Sequence, residues 1–417
     1  MEDDRSSTAG VKVSRATGRE SLSCVTRDRV GKGPLEGICV VDLTSVVLGP
    51  IATQLFADFG ADVIKVEGPA GDIIRSNGVS RKKGMGSIYL SLNRNKRSVV
   101  LDLKTEQGKE ALRALITKAD VLVHNMRVKA IEKLGFGYDV VRRLNPGLVY
   151  CVATGFGQDG PDRDKPAFDD IIQASCGFVG VSSLGKDVPE YSPNLIADKT
   201  VGLYMANAVM AALVHRGRSG KGQYVEVPML ETMASFVLSE HMGGLAFPGS
   251  EEPAGYKRII KGGRRPYKTK DGWIGVLPYT ERHWRAFFGA VGKVELIDEF
   301  DIADRTKRNA RIQEIYAALS AITPLKTTGE WIEVCTALDI PVTRIYSLDE
   351  LPQHPHLEAV GFFEESEHPS VGPIRQVRPV VRFSETPLSI YRHAPELGEN
   401  TREIMEGLGL QASVSDT

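Results

Sequence analysis

The stretch Gly37–Pro69, GICVVDLTSVVLGPIATQLFADFGADVIKVEGP, decides the fold class. GICVVDL (37–43) is a compact apolar run of strand length. Residues 45–50 make a turn, and Pro50 suits the first turn of a helix, where its missing N–H has no partner to lose. IATQLFADFG continues that helix, and Gly60 fits its C-terminal cap. ADVIKVEGP is a second apolar strand. Strand, helix and strand within about 30 residues require a crossover connection, so the strands are parallel and the unit right-handed.

The pattern repeats downstream. RSVVLDL reads as a strand, TEQGKEALRALITKA as a helix with Thr105 at its N-cap, and ADVLVHN as a strand. AIEKLGF and YDVVRRL are short helices before the strand GLVYCVATGFG. Strands apolar on both faces, alternating with helices, predict a doubly wound α/β sheet. PNLIADKTVGLYMANAVMAALVHRGRSGKGQYVEV (193–227) then gives an extended lead-in, a helix rich in small residues, a basic turn and an alternating strand.

From Met229 the character changes. A helix over ETMASFVLSEHMGGL, a Gly-, Pro- and Arg-rich loop at 247–266 and a hairpin YKTKDGWIGVLP turning at Asp271-Gly272 precede three more helices. These predict a smaller α+β domain. IPVTRIYSLDEL returns to strand, VGPIRQVRPVVRFS reads as a hairpin, and NTREIMEGLG ends in a short helix. The expected division is a disordered tail at 1–34, the large domain at 35–228, the smaller domain at 229–340 and a return to the large domain at 341–417.

Composition narrows the function. Lys plus Arg number 52 against 53 for Asp plus Glu, which speaks against bulk nucleic-acid or membrane-surface binding. The five cysteines are scattered and never in CxxC spacing, which fits a reducing, cytoplasmic setting and gives no metal cluster. The first 34 residues lack the apolar core of a secretory signal. The eight histidines are dispersed, with no HExxH, and no GxSxG is present. The first βα turn, TSVVLGP, has no GxGxxG, so Glu67 at the end of the second strand does not carry a dinucleotide site alone. RGRSGKGQ (216–223) fails the P-loop spacing and reads as a polar turn. Lys65, Arg97, Lys104 and Lys133 each follow or end a strand. Singly they read as solvated surface, and together as a phosphate-binding edge. Cys176 reads as a buried structural thiol.

Asp198, in front of KTVGLYMA, reads as a helix N-cap. It also reads as a nucleophile, kept ionised by the helix dipole and able to attack an activated carbonyl.

Nearly the whole ordered chain resembles the class III CoA-transferases, the group that includes formyl-CoA transferase and carnitine-CoA transferase. Gly37–Pro69, NRNKRSVVLDLKTEQGKEAL, LGFGYDVVRRLNPGLVYCVATGFGQDGP, FDDIIQASCG, IADKTVGLYMANAVMAAL, RSGKGQYVEVPML and APELGENTREIMEGLG carry the likeness, in order. The resemblance implies a Rossmann-like large domain, a smaller domain and an interlocked homodimer. It implies acyl-CoA and a carboxylic acid as substrates, with coenzyme A as a substrate rather than a bound cofactor; composition and motifs give the expectation of no metal, nucleic-acid or membrane partner. It makes Asp198 the catalytic aspartate. It carries CoA contacts to Val46, Val47, Leu48, Leu101, Lys104, Asn125, Met126, Lys133 and Met229. Asp169 is expected to support the site, and Gly262-Gly263 to form a glycine loop over it. Arg264 and Arg265 are candidates for gripping the second carboxylate of a dicarboxylic acid such as succinate or glutarate. Gly68 and Lys133 stand where formyl-CoA transferase has arginines, which argues against formate or oxalate. The racemases of this fold pair their aspartate with a histidine, and Phe168 occupies that position here. Phenylalanine exchanges no proton, so a two-base mechanism lacks a base. Racemization and CoA binding without turnover remain the alternatives to transfer.

Overall fold

The computed structural model describes residues 32–260 and 263–411. Six parallel strands form the central sheet: β1 (Cys39–Asp42), β2 (Asp62–Glu67), β3 (Lys96–Val100), β4 (Val121–His124), β5 (Val149–Thr154) and β6 (Tyr224–Pro228), in the order β3-β2-β1-β4-β5-β6. Strands β1 to β3 progress to one side. The chain then crosses back to place β4 on the other side of β1. The crevice beyond the carboxyl ends of β1 and β4 is the switch point where open α/β sheets bind ligands.

Strand periodicity divides the core into two layers. Val40, Val121, Val123, Val149 and Cys151 face one side of the sheet. Val41, Leu122 and Tyr150 face the other. On the first side lie α1 (Leu48–Asp58), α6 (Ile196–Ser219) and α7 (Met229–His241), which bury Phe56, Met205, Val209, Met229 and Met233. On the second side α2 (Glu106–Lys118) buries Ala111, Leu112, Leu115 and Ile116. There α3 (Val128–Leu134) and α4 (Tyr138–Leu144) bury Ile131 and Val141. As expected, Thr105 caps α2 by accepting from Gly108 N–H at 3.1 Å.

α5 (Asp169–Ser175) and α6 meet beside the sheet. α6 comes close because residue 202 is glycine: a Cβ there would lie 2.5 Å from the Leu48 carbonyl oxygen. This contact brings the start of α6 to the first βα turn.

A separate apolar core, containing Trp284, Phe287, Tyr316 and Trp331, lies within residues 267–340. It packs beside an antiparallel sheet of β7 (Tyr267–Lys268), β8 (Trp273–Val276) and β9 (Val342–Arg344), with the turn at Asp271-Gly272 where the sequence puts it. The tail hairpin differs from expectation. β10 (Phe363–His368) pairs with β11 (Gly372–Val377), and 380–383 form no strand, so the hairpin sits one strand earlier than VGPIRQVRPVVRFS suggests. The remaining tail returns to the outer edge of β3. Ser98 N–H donates to Asn400 Oδ1 at 3.0 Å and Val100 N–H to Thr401 Oγ1 at 3.1 Å, at the start of the short helix Thr401–Gly407. A sheet edge that would otherwise stay open is thereby covered.

Candidate active site

Asp198 lies in the first turn of α6, and its residue is buried to 9% exposure. The cap position belongs to Leu195, which makes no side-chain cap, so Asp198 is the third helical residue and not the N-cap. Its carboxylate is therefore free of capping duty. What fixes Asp198 is Asp169, whose Oδ1 accepts from the Asp198 N–H at 2.8 Å. Asp169 Oδ2 accepts from Gln173 Nε2 at 2.6 Å, one turn along α5. Gln173 also reaches the Asn194 carbonyl (3.3 Å) and takes the Ser192 N–H (3.0 Å). α5 thus fastens the segment that leads into α6. Sequence reasoning missed Gln173; its signal is the four-residue spacing from Asp169, which puts both on one helix face.

Electrostatics correct a second expectation. Burial pushes the Asp198 carboxyl up to about 7, and the negative charges of Asp169 and then Asp170 push the same way. The α6 dipole opposes this shift but does not hold the group in the ordinary carboxylate range. Among the described residues no cation pairs with Asp198. A carboxylate with a raised pKa is a stronger nucleophile once ionised, and it is half ionised near neutrality. Phe168, at the head of α5, is 69% exposed and offers no proton-carrying group.

The crevice holds a cavity of about 530 Å³ lined by Thr44, Ser45, Gly68, Leu101, Lys104 and Met126, among others. Leu101, Lys104 and Met126 are the only three of the expected CoA contacts that line it. Asn125 ties its rim: Asn125 Oδ1 accepts from Ser45 N–H at 3.0 Å, and Asn125 Nδ2 donates to the Ser45 carbonyl at 2.9 Å. Val46 is half-buried in the turn. Val47, Leu48 and Met229 bury their side chains in apolar cores, which leaves their backbones for any contact. Lys133 is exposed beside Leu134, a lining residue.

The expected basic edge is only half there. Lys65 is fully buried, donating to Asp72 Oδ2 at 3.0 Å and the Thr44 carbonyl at 2.9 Å. Arg97 forks onto Asp62 (3.0 and 2.5 Å) and reaches Glu403 (2.8 Å). Both are spent on structure, and Lys104 and Lys133 remain exposed. Glu67 is likewise engaged, bidentate with Arg75 at 2.7 and 2.6 Å. Gly262 lies outside the described residues. Gly263 has φ +65°, and Arg264 and Arg265 line a separate cavity of about 560 Å³ with Tyr267 and Thr343. Among the described residues no group of His, Cys, Asp and Glu is arranged to hold a metal, and no helix is long and apolar enough to cross a membrane. Cys176 is a buried free thiol, as read from its small neighbours.

A family model described as CoA-transferase family III matches residues 35–401. The chain belongs to this family. As a family III CoA-transferase it is 32% identical over 391 residues to the succinate–glutarate CoA-transferase of Agrobacterium fabrum, covering 90% of this chain and 96% of that one. It is 32% identical over 399 residues to the formyl-CoA:oxalate CoA-transferase of Afipia carboxidovorans, covering 89% and 92%. The structure of a CAIB/BAIF family protein from Brucella suis superposes with a TM-score of 0.77 at 28% identity, covering 90% of this chain and all of that one. In a family III transferase the six-stranded parallel sheet is thus the shared frame, and CoA thioesters are the substrates.

Proposed function

We propose that this enzyme moves CoA from an acyl-CoA donor to a free carboxylic acid through covalent intermediates on Asp198. The observation that carries the reading is Asp198 itself: buried, uncapped, with no cationic partner among the described residues, and raised to about 7. An Asp198 carboxylate oxygen attacks the thioester carbonyl carbon. The C–S bond breaks, giving an acyl–aspartyl anhydride and CoA thiolate. The thiolate attacks the aspartyl carbonyl and breaks the anhydride C–O bond, leaving aspartyl-CoA thioester and the donor acid. The acceptor carboxylate attacks that thioester to form a new anhydride. The released thiolate then attacks the acceptor's acyl carbon, forming the new acyl-CoA and freeing Asp198. Four moderate acyl transfers replace one difficult exchange.

Asp169 keeps two tasks in this scheme: its hydrogen bond fixes the Asp198 backbone, and its charge keeps Asp198 basic. Arg264 and Arg265, exposed in their own cavity, support a dicarboxylic acceptor or donor, as does the substrate name of the Agrobacterium relative. A homodimer accounts for the exposed apolar side chains Phe168, Leu195, Leu203 and Tyr204 around the start of α6. Sedimentation at micromolar concentration checks it, and a monomer removes it. The division into a large domain, a smaller domain at 229–340 whose first helix, α7, packs onto the large domain's sheet, and a returning tail belongs to the same proposal, as does a cytoplasmic site of action.

Trapping is the test of the covalent scheme. The enzyme is incubated with succinyl-CoA, then with hydroxylamine or borohydride, and modification is mapped. We expect it at Asp198. An unmodified Asp198 in an enzyme that still exchanges label between acid and thioester sinks the mechanism. Solvent deuterium entering the α-carbon of a 2-methylacyl-CoA without any acceptor acid would instead establish racemization.

A further inference from the structure

The first βα turn contains a conformation that its residue does not favour. Val46 sits at φ +69°. For a β-branched residue the left-handed region is a genuine outlier. Such strain persists only where the surroundings over-determine it, and it gathers at ligand sites.

Here the constraint is visible atom by atom. Thr44 N–H donates to Asp42 Oδ1 at 2.8 Å, and Ser45 N–H to Asn125 Oδ1 at 3.0 Å. Val46 N–H donates to both oxygens of Asp72, at 3.1 and 3.2 Å. Asp72 is itself held: Lys65 Nζ reaches Oδ2 at 3.0 Å, Glu67 Oε1 accepts from the Asp72 N–H at 3.0 Å, and Ile74 N–H caps onto Oδ1 at 3.1 Å. Lys65 also donates to the Thr44 carbonyl at 2.9 Å, which closes the ring back onto the turn. Three successive N–H groups are thus claimed by three side chains from separate stretches of the chain. A glycine at 46 would adopt this backbone freely, so the clamp does work that the residue type alone would make unnecessary. Immediately afterwards α1 begins with no side-chain cap, and the dihedrals of Val46 set the direction in which its first N–H groups open.

We propose that Asp72, anchored by Lys65, is a positioning residue for the CoA thioester. It holds Val46 in the left-handed conformation and so aims the uncapped start of α1 into the crevice that Asp72 helps to line. This rests on the reading that the first βα turn contacts CoA.

The test measures binding of CoA itself to the full chain by calorimetry, without turnover, for wild type, D72A, V46G and the double variant D72A/V46G. Removing Asp72 releases Val46 from its strained state, and we expect CoA affinity to fall about tenfold. Glycine needs no clamp to hold φ +69°, so D72A/V46G recovers most of that loss relative to D72A. Its melting temperature stays low, because glycine does not replace the buried Lys65–Asp72 ion pair. Recovery of affinity without recovery of stability separates positioning from a structural role. If D72A does not fold, D72N takes its place. Its one amide oxygen must serve both Lys65 and Val46, so affinity falls about threefold and V46G again restores it. Wild-type binding of CoA with no rescue in either background overturns the positioning role alone. A wild-type chain that does not bind CoA overturns the crevice reading and this proposal together.

Discussion

Two groups of buried carboxylates lie at the same edge of one sheet and behave oppositely. Under β1 to β3, every buried acid meets a cation. Asp42 accepts from Lys96 (3.3 Å) and Thr53 (2.6 Å), Asp72 from Lys65, and Glu67 from Arg75. Burial alone would raise these acids, yet their partners leave Asp42 and Glu67 below the ordinary carboxylate value. At the start of α6, the buried Asp198 and Asp169 crowd together beside the exposed Asp170, and the described residues supply no cation to any of them. Burial and like charge there add, and Asp198 climbs to about 7. The first arrangement keeps Asp42 and Glu67 ionised across physiological pH. The second keeps one carboxyl poised. A pairing census, rather than burial, separates structural from chemical acids here.

The sharpest way to break this contrast is to remove the poised group. Asp198→Ala should lower the rate of acyl exchange by about 10⁴-fold or more while leaving CoA binding measurable. A variant within tenfold of wild type would place the chemistry elsewhere. Cutting the paired group should act on stability instead. Arg75→Met strands Glu67 and should cost about 3–5 kcal/mol in denaturant unfolding. An unchanged unfolding midpoint would mean that the pair contributes nothing.

The third experiment reads Asp198 through its proton. Its folded value of about 7 lies above the ordinary 3.8. Between those pH values the native state holds a proton that the unfolded chain has lost, so stability falls as pH rises from 4 to 7. Asparagine carries no such penalty. Asp198→Asn should match wild type near pH 4 and exceed it by roughly 2–4 kcal/mol at pH 8. A constant difference across this range contradicts a raised Asp198. The smallest effect concerns the neighbour. Wild-type kcat/KM should rise with pH through a midpoint near 7 as Asp198 ionises. Asp169→Asn keeps an oxygen for the Asp198 N–H and deletes one charge, so the midpoint should fall by about half to one unit. An unmoved midpoint leaves burial and Asp170 as the causes.

Legibility in the sequence followed the range of the interactions. Strands β1 to β6 were readable because apolar periodicity is local, and Thr105 and Asp271-Gly272 were readable because caps and turns are local too. The misreadings share one cause. Arg97 looked like a solvated strand-end cation, but its partner Glu403 is 306 residues away. Lys65 looked free because nothing in KVEGPAGD announces that Asp72 folds back onto it. Asp198 looked like a cap because aspartate is a favoured capping residue, but the helix begins two residues earlier, at Ile196, without a side-chain cap. The positive φ of Val46 had no signal, since sequence rules assign that conformation to glycine. The role proposed for Asp198 was legible as one of two readings of the residue, and the resemblance favoured it over the cap. Its environment comes from α5 and from Gln173, and no pattern around IADKTVG encodes either.

The tail on β3 has a consequence for how this enzyme is made. Asn400 and Thr401 leave the ribosome some 300 residues after the strand whose outer hydrogen-bonding row they occupy. Until they emerge, that row is bare on a nascent chain that already contains all six strands of the sheet. The sheet edge is therefore completed only once these residues have emerged, through contacts of very high sequence separation, which slow folding. During that interval the exposed row can pair with another chain. A chain that stops a few residues before Asn400 would keep Asp198 and its whole surround, yet leave that row open to aggregation.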